Sequence, residues 1–241
     1  MILQVNNLSK SFDKKIVVNI PFLAANKGDI LGIVGNNGAG KTTLFRLLID
    51  LLRTDSGNVT IFNKDVSESE EWKSYTGSFI DNSFLIECLS PEEYFAFIGN
   101  VYQIKEDDIR NRLSTYTAFM HDEILHQKKY IRNFSAGNKQ KIGIIGAMLI
   151  NPQILILDEP FNFLDPSSQI EMKRLLHRMN EESDTTILIS SHNLNHITDI
   201  STHILLMEKG KIIKNIDNSR KEAIYELEDY FKITDNLYPI I

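Results

Sequence analysis

Cysteine and long apolar runs are both scarce in this sequence of 241 residues. Its only cysteine is Cys88, so an internal disulfide is impossible and nothing indicates an oxidising compartment. The longest apolar run, residues 142–150, is far shorter than the ~20 residues that a membrane-spanning helix requires. Residues 1–5 alternate as in a strand and lack the basic and apolar regions of a signal peptide. We therefore expect a soluble cytoplasmic protein.

An excess of positive charge is also missing, since 26 Lys and Arg face 32 Asp and Glu, for a net charge of −6. Because nucleic-acid-binding proteins usually present a basic face, this balance argues against nucleic acid as a partner. No repeat and no low-complexity tract is present. The 42% of apolar and 24% of charged residues are typical of a globular protein, long enough for one large domain or two small ones.

The first half of the chain predicts strands, a helix and then a helical insertion. Residues 1–65 favour short strands, and the apolar strand at 29–34 runs into a glycine-rich turn. A helix should follow, with leucines at helical spacing. Residues 82–133 contain no convincing strand, and Ser90 opens a helix there by a capping box with Glu93. The helical leucines are Leu44, Leu47, Leu48, Leu51 and Leu52.

The second half predicts a buried parallel sheet. Residues 154–157 and 186–189 are nearly all apolar and flank a helix capped by Asp165, which favours parallel strands buried on both faces. Residues 204–213 are typical of a hairpin, and residues 219–231 of a small amphipathic helix. The apolar faces of the two helices comprise Met172, Leu175, Leu176 and Met179 in the first and Ile224, Leu227 and Phe231 in the second.

A phosphate-binding loop is predicted at residues 35–42, which match G-x-x-x-x-G-K-[ST] at every fixed position. Glycines let successive N–H groups face an anion, and the following helix adds its positive dipole end. Lys41 can reach the β- and γ-phosphates, and the Thr42 hydroxyl can hold Mg²⁺. The alternative is a plain glycine turn between a strand and a helix. The residues expected at the nucleotide are Gly35, Asn36, Asn37, Gly38, Ala39, Gly40, Lys41, Thr42 and Thr43.

Two acids, Asp158 and Glu159, directly follow the apolar strand at 154–157. Sites of open α/β sheets lie at the carboxyl ends of such strands. Asp158 is therefore predicted to support Mg²⁺, and Glu159 to act as the general base that polarises the attacking water. The alternative is a strand that ends in solvent with two charges.

The order of these motifs resembles the nucleotide-binding subunits of ABC transporters over roughly residues 1–215. Residues 134–138 lie where that family has its signature L-S-G-G-Q. Ser135 is typical of a helix cap, and the N–H groups behind it would form a second anion site. The resemblance implies that this site closes over the γ-phosphate bound by another protomer; the alternative is an ordinary capped helix. The residues involved are Ser135, Ala136, Gly137 and Asn138.

Three further matches follow from the same resemblance. Residues 162–165, ending in Asp165, resemble the D-loop that crosses the dimer interface. His192 lies at the position of the family's switch histidine, which hydrogen-bonds the γ-phosphate. Phe12 matches the aromatic residue that stacks on adenine, although a lone Phe there is also typical of a core residue. We leave His177, His196 and His203 as surface or core residues.

Two departures from the family pattern affect the predicted site. The Q-loop glutamine is replaced by Asp81, or by Asn82 if the alignment slips by one residue. An aspartate there could still ligate Mg²⁺, but it is shorter and charged. In the signature, Ala136 replaces a glycine and Asn138 replaces the glutamine, so closure should be weaker rather than absent.

The resemblance implies an α/β fold, namely a P-loop NTPase core with a mixed sheet, an antiparallel β-subdomain and a helical insertion. We expect a single ABC-type ATP-binding domain. Its core comprises residues 1–81 and 134–215, its helical subdomain residues 82–133 and its tail helix residues 216–241, which should cover the core.

The function implied is ATP hydrolysis, with ATP and Mg²⁺ bound, that powers a membrane transporter of the drug- or peptide-export type. The partners would be a permease subunit on a separate chain and a second nucleotide-binding subunit, identical or related. The chain would then lie on the inner face of the membrane. Asp81, Ala136 and Asn138 motivate one alternative, a regulatory ATP-binding module with little turnover. Another is an ATPase of a soluble assembly or of the translation machinery. The transported substrate stays open.

Overall fold

The computed structural model describes residues 1–219 and 221–237, and this part of the chain contains ten strands and eight α-helices. The strands are β1 (Leu3–Phe12), β2 (Lys15–Ala25), β3 (Ile30–Val34), β4 (Ser56–Ile61), β5 (Lys64–Asp65), β6 (Thr76–Phe79), β7 (Ile154–Leu157), β8 (Thr186–Ser191), β9 (His203–Glu208) and β10 (Lys211–Asp217). The helices are α1 (Lys41–Leu48), α2 (Pro91–Val101), α3 (Glu106–Ser114), α4 (Thr117–Met120), α5 (Ala136–Met148), α6 (Pro166–Ser183), α7 (Leu194–Ile200) and α8 (Ala223–Leu237).

The first two strands are longer than the short strands that the sequence predicts, with 10 residues in β1 and 11 in β2. Asp13 and Lys14 join them in a two-residue turn with φ of 48° and 65°. Positive φ at both positions matches the twist of an antiparallel pair. The two strands therefore pair from Phe12↔Lys15 to Leu3↔Ala25, inside an antiparallel sheet of order β2-β1-β4-β5.

The second sheet is mixed and has the order β10-β9-β3-β8-β7-β6. Strands β6, β7, β8, β3 and β9 pair in parallel, and β10 pairs with β9 as an antiparallel hairpin. This confirms the predicted parallel strands around α6 and the predicted hairpin. Because parallel strands end at one edge, the loops that follow β3, β6, β7 and β8 lie side by side.

Alternate residues of the central strands enter two different cores. In β7, Ile154 and Ile156 pack with α1 and the antiparallel sheet, whereas Leu155 and Leu157 pack with α5, α6, α7 and the helical insertion. Burial on both faces explains why this strand is apolar throughout rather than alternating. The fold is the expected α/β arrangement.

Helix α1 ends earlier than the leucine spacing predicts. It stops at Leu48, and the N–H groups of Leu51 and Leu52 both donate to the Arg46 carbonyl, at 2.9 and 3.2 Å. Asp50 adopts the left-handed conformation, with φ 50°. Such a residue and such bonds are typical of a helix C-terminus, so Leu51 lies outside the helix and is half exposed.

Residues 82–133 contain α2, α3, α4 and two 3₁₀ turns but no strand. The capping box at α2 is confirmed, because the Glu93 N–H donates to the Ser90 hydroxyl and the Ser90 N–H donates to the Glu93 carboxylate. Phe95, Ile109 and Phe119 of this segment are buried in the same core as α5.

Helix α8 begins at Ala223, later than predicted, because β10 continues to Asp217 and Asn218 then accepts the Ala223 N–H at 3.3 Å. Ala223 and Leu227 are buried in the core beside α7. Residues 220 and 238–241 of the predicted tail lie outside the described residues. The same holds for the side chain of Phe231 and its predicted contact.

None of the helices in the described residues has the length and hydropathy needed to cross a membrane.

Candidate nucleotide-binding site

The loop between β3 and α1 adopts a conformation that favours glycine. Gly38 and Gly40 have φ of 80° and 106°, and a Cβ at Gly35 would lie 2.2 Å from the Met207 carbonyl oxygen. Gly40 is the N-cap of α1 without a side-chain cap, and no acid lies in the first turn. The N–H groups of that turn have no intrahelical partner, so they can face an anion.

Lys41 is buried at the start of α1, at 6% exposure. Its Nζ donates to the Gly35 carbonyl at 2.7 Å and lies 3.4 Å from Glu159 Oε1. Residues 37–43, Val17 and Glu159 line a cavity of about 200 Å³ around it. A buried cation next to unpaired N–H groups suits a phosphate chain.

Asp158 and Glu159 follow β7, and the neighbouring Ser190 at the end of β8 orients both. The Ser190 hydroxyl donates to Asp158 Oδ1 at 2.5 Å and accepts the Glu159 N–H at 2.9 Å. The Thr42 hydroxyl also donates to Asp158. Burial raises the pKa of Asp158, and the hydrogen bonds from Ser190 and Thr42 offset only part of this effect.

Ser190 is a site residue that the sequence reasoning missed. Local pattern does not indicate it, because the contact depends on the register in which β7 pairs with β8, from Ile154↔Thr186 to Leu157↔Ile189. Continuing that register by one residue places Ser190 beside Asp158. A serine at the end of a buried apolar strand, next to an acid on the adjacent strand, is a candidate for orienting that acid.

The Glu159 carboxylate lies between two nitrogen groups. His192 Nδ1 is 2.9 Å from Glu159 Oε2, and the His192 N–H donates to the same oxygen at 3.2 Å. Lys41 contacts the other oxygen. Glu159 has φ 46°, a rare conformation for a residue with a side chain, which turns it out of the strand direction. Its carboxylate can therefore accept a proton at the mouth of the Lys41 cavity.

The raised pKa of Asp158 predicts how stability depends on pH. The folded protein binds a proton at Asp158 more tightly than the unfolded chain, so ionisation of this group lowers the unfolding free energy as the pH rises above about 4. The Asp158→Asn variant has no carboxyl group to ionise, so it should not lose unfolding free energy in this way. Its amide can still pair with the Ser190 and Thr42 hydroxyls. We expect the variant to gain stability relative to the wild type between pH 4 and 7 in urea unfolding with EDTA present.

The matched control for that measurement is Asp50→Asn, which changes an exposed aspartate at the end of α1. It makes the same chemical change away from the Ser190 and Thr42 hydroxyls and so corrects for the substitution itself. An Asp158→Asn curve parallel to the wild-type curve would contradict a raised pKa at this group.

Asp81, the predicted Q-loop residue, contacts α1 and its own loop. It caps the turn at Asn82–Phe84 by accepting the Ser83 N–H at 2.8 Å, and Arg46 donates to it at 3.1 Å. Burial alone would raise the pKa of Asp81, but the hydrogen bonds from Ser83 and Arg46 outweigh burial and lower it. Asn82, the alternative, has its buried Oδ1 without a hydrogen-bond partner. The described residues contain no cluster of three His, Cys, Asp or Glu that could hold a metal ion.

The signature residues lie at a different cavity from the phosphate loop. Ser135 caps α5 by accepting the Asn138 N–H at 3.2 Å, as the sequence predicts. Phe134, Ala136 and Lys139 line a cavity of about 640 Å³ together with Asn82, Ser83, Leu85 and Glu87. Within the described residues this cavity shares no lining residue with the cavity at Lys41.

The segment after Glu159 packs closely on the start of α5. A Cβ at Gly137 would lie 2.6 Å from the Phe163 carbonyl oxygen, and Gln140 donates to the Glu159 carbonyl at 3.3 Å. Asp165 caps α6 through the Ser168 N–H, 3.0 Å away, and lies 3.8 Å from Lys141 Nζ. The hydrogen bonds from Ser167 and Ser168 lower the pKa of Asp165. A contact of Asp165 with nucleotide stays a prediction.

Two aromatic contacts complete the surroundings of the site. Phe12 lies at the end of β1, 45% exposed, with Lys10 Nζ 5.7 Å from its ring centroid. Its role at adenine stays a prediction. His196 stacks on Phe161 at 4.4 Å, and burial lowers the pKa of this histidine. The sequence does not indicate that contact, because the two residues lie on separate elements.

A parallel sheet with a glycine loop, a buried lysine and two acids at its carboxyl edge defines a P-loop nucleotide-binding protein. The sequence profile of a family described as ABC transporter matches residues 19–162. The chain therefore belongs to the ABC transporter family, as an ATP-binding subunit.

Known proteins are similar to this chain over 81% of its length or more. The bacitracin transport ATP-binding protein BcrA of Bacillus licheniformis is 32% identical over 96% of this chain and 76% of its own. The methionine import ATP-binding protein MetN of Bifidobacterium longum is also 32% identical, over 81% of this chain and 50% of its own. A solved structure of an ATP-binding subunit of an ABC transporter superposes with a TM-score of 0.83 at 26% identity, covering 97% and 100% of the two chains.

Proposed function

We propose that this chain hydrolyses ATP to power an ABC membrane transporter, as one of two nucleotide-binding subunits that close around ATP. The observation that supports this most directly is the position of the Glu159 carboxylate. It lies 2.9 Å from His192 Nδ1 and 3.4 Å from Lys41 Nζ, at the cavity formed by the phosphate loop.

In the proposed reaction, a water oxygen attacks the γ-phosphorus of ATP, the bond to the bridging oxygen breaks, and ADP leaves. Glu159 accepts the proton of that water, and His192 fixes the orientation of the carboxylate. Lys41 and the N–H groups of the loop offset the charge that develops on the phosphate oxygens. Binding, orientation and proton acceptance are thereby assigned to separate side chains.

Mg²⁺ fits the oxygen atoms at the start of α1. The Thr42 hydroxyl contacts the Asp158 carboxylate, and hard oxygen ligands of this kind suit Mg²⁺. We propose that Thr42 and Asp158 hold the ion, with Asp81 as a further ligand at the same sheet edge. When bound, Mg²⁺ would supply positive charge to the β- and γ-phosphate oxygens. To bind Mg²⁺, Asp81 would first have to break its ion pair with Arg46.

The second subunit is proposed because the two anion-binding helix ends lie at separate cavities. A second nucleotide-binding subunit, identical or related, would place its own Ser135–Asn138 segment over the γ-phosphate bound here. Ala136 keeps its N–H, and Ser135 caps α5, whose other first-turn N–H groups have no intrahelical partner.

The solution mass of the Glu159→Gln variant tests the dimer. The amide preserves the size of the side chain but cannot act as the base, so bound ATP should persist and hold two subunits together. Light scattering should give twice the monomer mass of 27.6 kDa with Mg-ATP and the monomer mass without it. A Glu159→Gln protein that binds ATP yet stays monomeric would contradict closure between two copies and would require an unlike second subunit.

Export is the direction we propose, through a permease on a separate chain that holds this subunit at the inner face of the membrane. The relative named for bacitracin transport supports it, since it aligns over more of the chain than the relative named for methionine import. Cells that express the chain with its permease should tolerate a peptide antibiotic better than cells with the Glu159→Gln variant. Greater sensitivity would indicate import.

A regulatory ATP-binding module with little turnover is the second candidate, favoured by the pairing of Asp81 with Arg46 and Ser83. In that pairing the Asp81 carboxylate is occupied by Arg46 and Ser83 and is not free to bind a metal ion. Phosphate release by the purified wild type separates the candidates: turnover that requires Mg-ATP supports the transporter ATPase, and tight binding without phosphate release supports the module.

A further inference from the structure

Residues 208–210, which connect β9 to β10 and are called the turn below, pack against the phosphate loop. The Gly210 N–H donates to the Ala39 carbonyl at 2.8 Å. A Cβ at Gly35 would lie 2.2 Å from the Met207 carbonyl oxygen, and a Cβ at Gly40 would lie 2.9 Å from Met207 Cε. Gly40 therefore lies against the turn and Gly35 against Met207 at the end of β9, so a shift of this end of the hairpin would displace the loop.

A hydrogen bond from Tyr230 links helix α8 to the same turn. The Tyr230 hydroxyl donates to Glu208 Oε2 at 2.6 Å. Tyr230, residues 206–209 and loop residues 35–39 together line a cavity of about 190 Å³. The hydrogen bond to Tyr230 lowers the pKa of Glu208, so this carboxylate is charged at neutral pH.

The rest of α8 is fixed to the fold independently of Tyr230. Ala223 and Leu227 are buried in the core, at 3% and 0% exposure, and Glu226 pairs with Lys214 of β10 at 2.7 Å. Removing the Tyr230 hydroxyl should therefore leave the helix in place. What changes is the freedom of the Glu208 carboxylate.

The freedom of the Glu208 carboxylate matters because Glu208 and the phosphate loop line the same cavity. The phosphate loop must bind a polyanion. A carboxylate held by Tyr230 keeps its charge in one place, and Lys209 Nζ lies 3.4 Å from its other oxygen. A released carboxylate can turn toward the loop, where it would repel phosphate and compete for N–H groups. The turn would also lose its link to α8, which holds it in place beside Ala39.

We propose that Tyr230 is a positioning residue for nucleotide binding: through Glu208 it fixes the β9–β10 turn against the phosphate loop, so that α8 sets the affinity for ATP. The ATP part of this inference rests on the proposed function, whereas the bracing of the loop does not.

The test compares Tyr230→Phe with Tyr225→Phe, a tyrosine of the same helix that is 71% exposed. Tyr230→Phe should weaken ATP binding about threefold, because a hydrogen bond to a charged group is lost at the edge of the site. Amide hydrogen exchange at residues 35–40, measured without nucleotide, should become faster. Tyr225→Phe should change neither and should keep the wild-type melting temperature, whereas Tyr230→Phe should lose only a few degrees, because one hydrogen bond is removed.

Glu208→Gln completes the test. If Tyr230 acts through the Glu208 charge, Tyr230→Phe should have a smaller effect on ATP affinity in the Glu208→Gln background than in the wild type. Unchanged loop exchange in Tyr230→Phe would overturn the proposal whether or not the wild type binds ATP. Failure of the wild type to bind ATP, with faster loop exchange in Tyr230→Phe, would overturn the ATP part and the proposed function while leaving the bracing in place.

Discussion

The Glu159→Gln variant is expected to lose ATP hydrolysis by ~10²–10⁴-fold, the contribution typical of a positioned general base. The amide cannot accept the proton of the attacking water, while its size and its contact with His192 are preserved. ATP affinity should change little, because Lys41 and the loop N–H groups remain. Phosphate release and equilibrium binding, measured on one preparation, separate the two effects.

A matched control is Glu182→Gln, which changes an exposed glutamate near the end of α6. It removes the same charge far from the loop and should hydrolyse ATP at the wild-type rate. A Glu159→Gln protein that retains about a tenth of the rate or more would show that another group is the base. His192 would then be the first candidate for the base, since its Nδ1 lies within hydrogen-bond distance of Glu159 Oε2.

The Lys41→Ala variant should bind ATP about 100-fold more weakly, because it loses a buried ammonium that can make charge-assisted hydrogen bonds to phosphate. The loss of ATP affinity arises from the position of the Lys41 ammonium group as well as from its charge. Lys41 Nζ already lies 2.7 Å from the Gly35 carbonyl, so the ammonium is held at the loop by the fold. Isothermal titration with Mg-ATP measures the change.

Lys27→Ala is the control for charge alone, since Lys27 is exposed and pairs with Asp184 far along the chain. It should bind ATP as the wild type does. Lys41→Arg is a second comparison: it keeps the charge, but its larger planar head should not fit the cavity at the loop, and affinity should fall. Wild-type affinity in Lys41→Ala would place the nucleotide elsewhere.

The parts of the site that follow from local pattern are predicted well. Residues 35–40 form a loop between a strand and the helix that begins at Lys41, Asp158 and Glu159 follow an apolar strand, and Ser135 caps a helix. Each depends on neighbours within a few positions, where glycine conformation, capping and periodicity decide the structure. The α/β fold follows from the same elements taken in order.

The parts that were missed depend on residues far apart in sequence. Asp81 contacts Arg46, which is 35 positions earlier, and Ser190 contacts Asp158, which is 32 positions earlier. Local pattern gives no partner for either group. The end of α1 was missed for another reason: leucines continued the helical spacing, but two N–H bonds to Arg46 closed the helix first.

The outer strands of both sheets bear on aggregation. β10, at one edge of the mixed sheet, has Lys211 and Lys214 and an irregular register with β9, and the opposite edge is the four-residue β6. The antiparallel sheet ends in the two-residue β5. Charged, irregular or short edge strands resist pairing with strands of other molecules. Three of the four outer strands should therefore resist sheet-to-sheet polymerisation. The fourth, β2, is 11 residues long, and its outer edge is partly covered by the β9–β10 turn, since the Asn19 N–H donates to the Gly210 carbonyl at 2.7 Å.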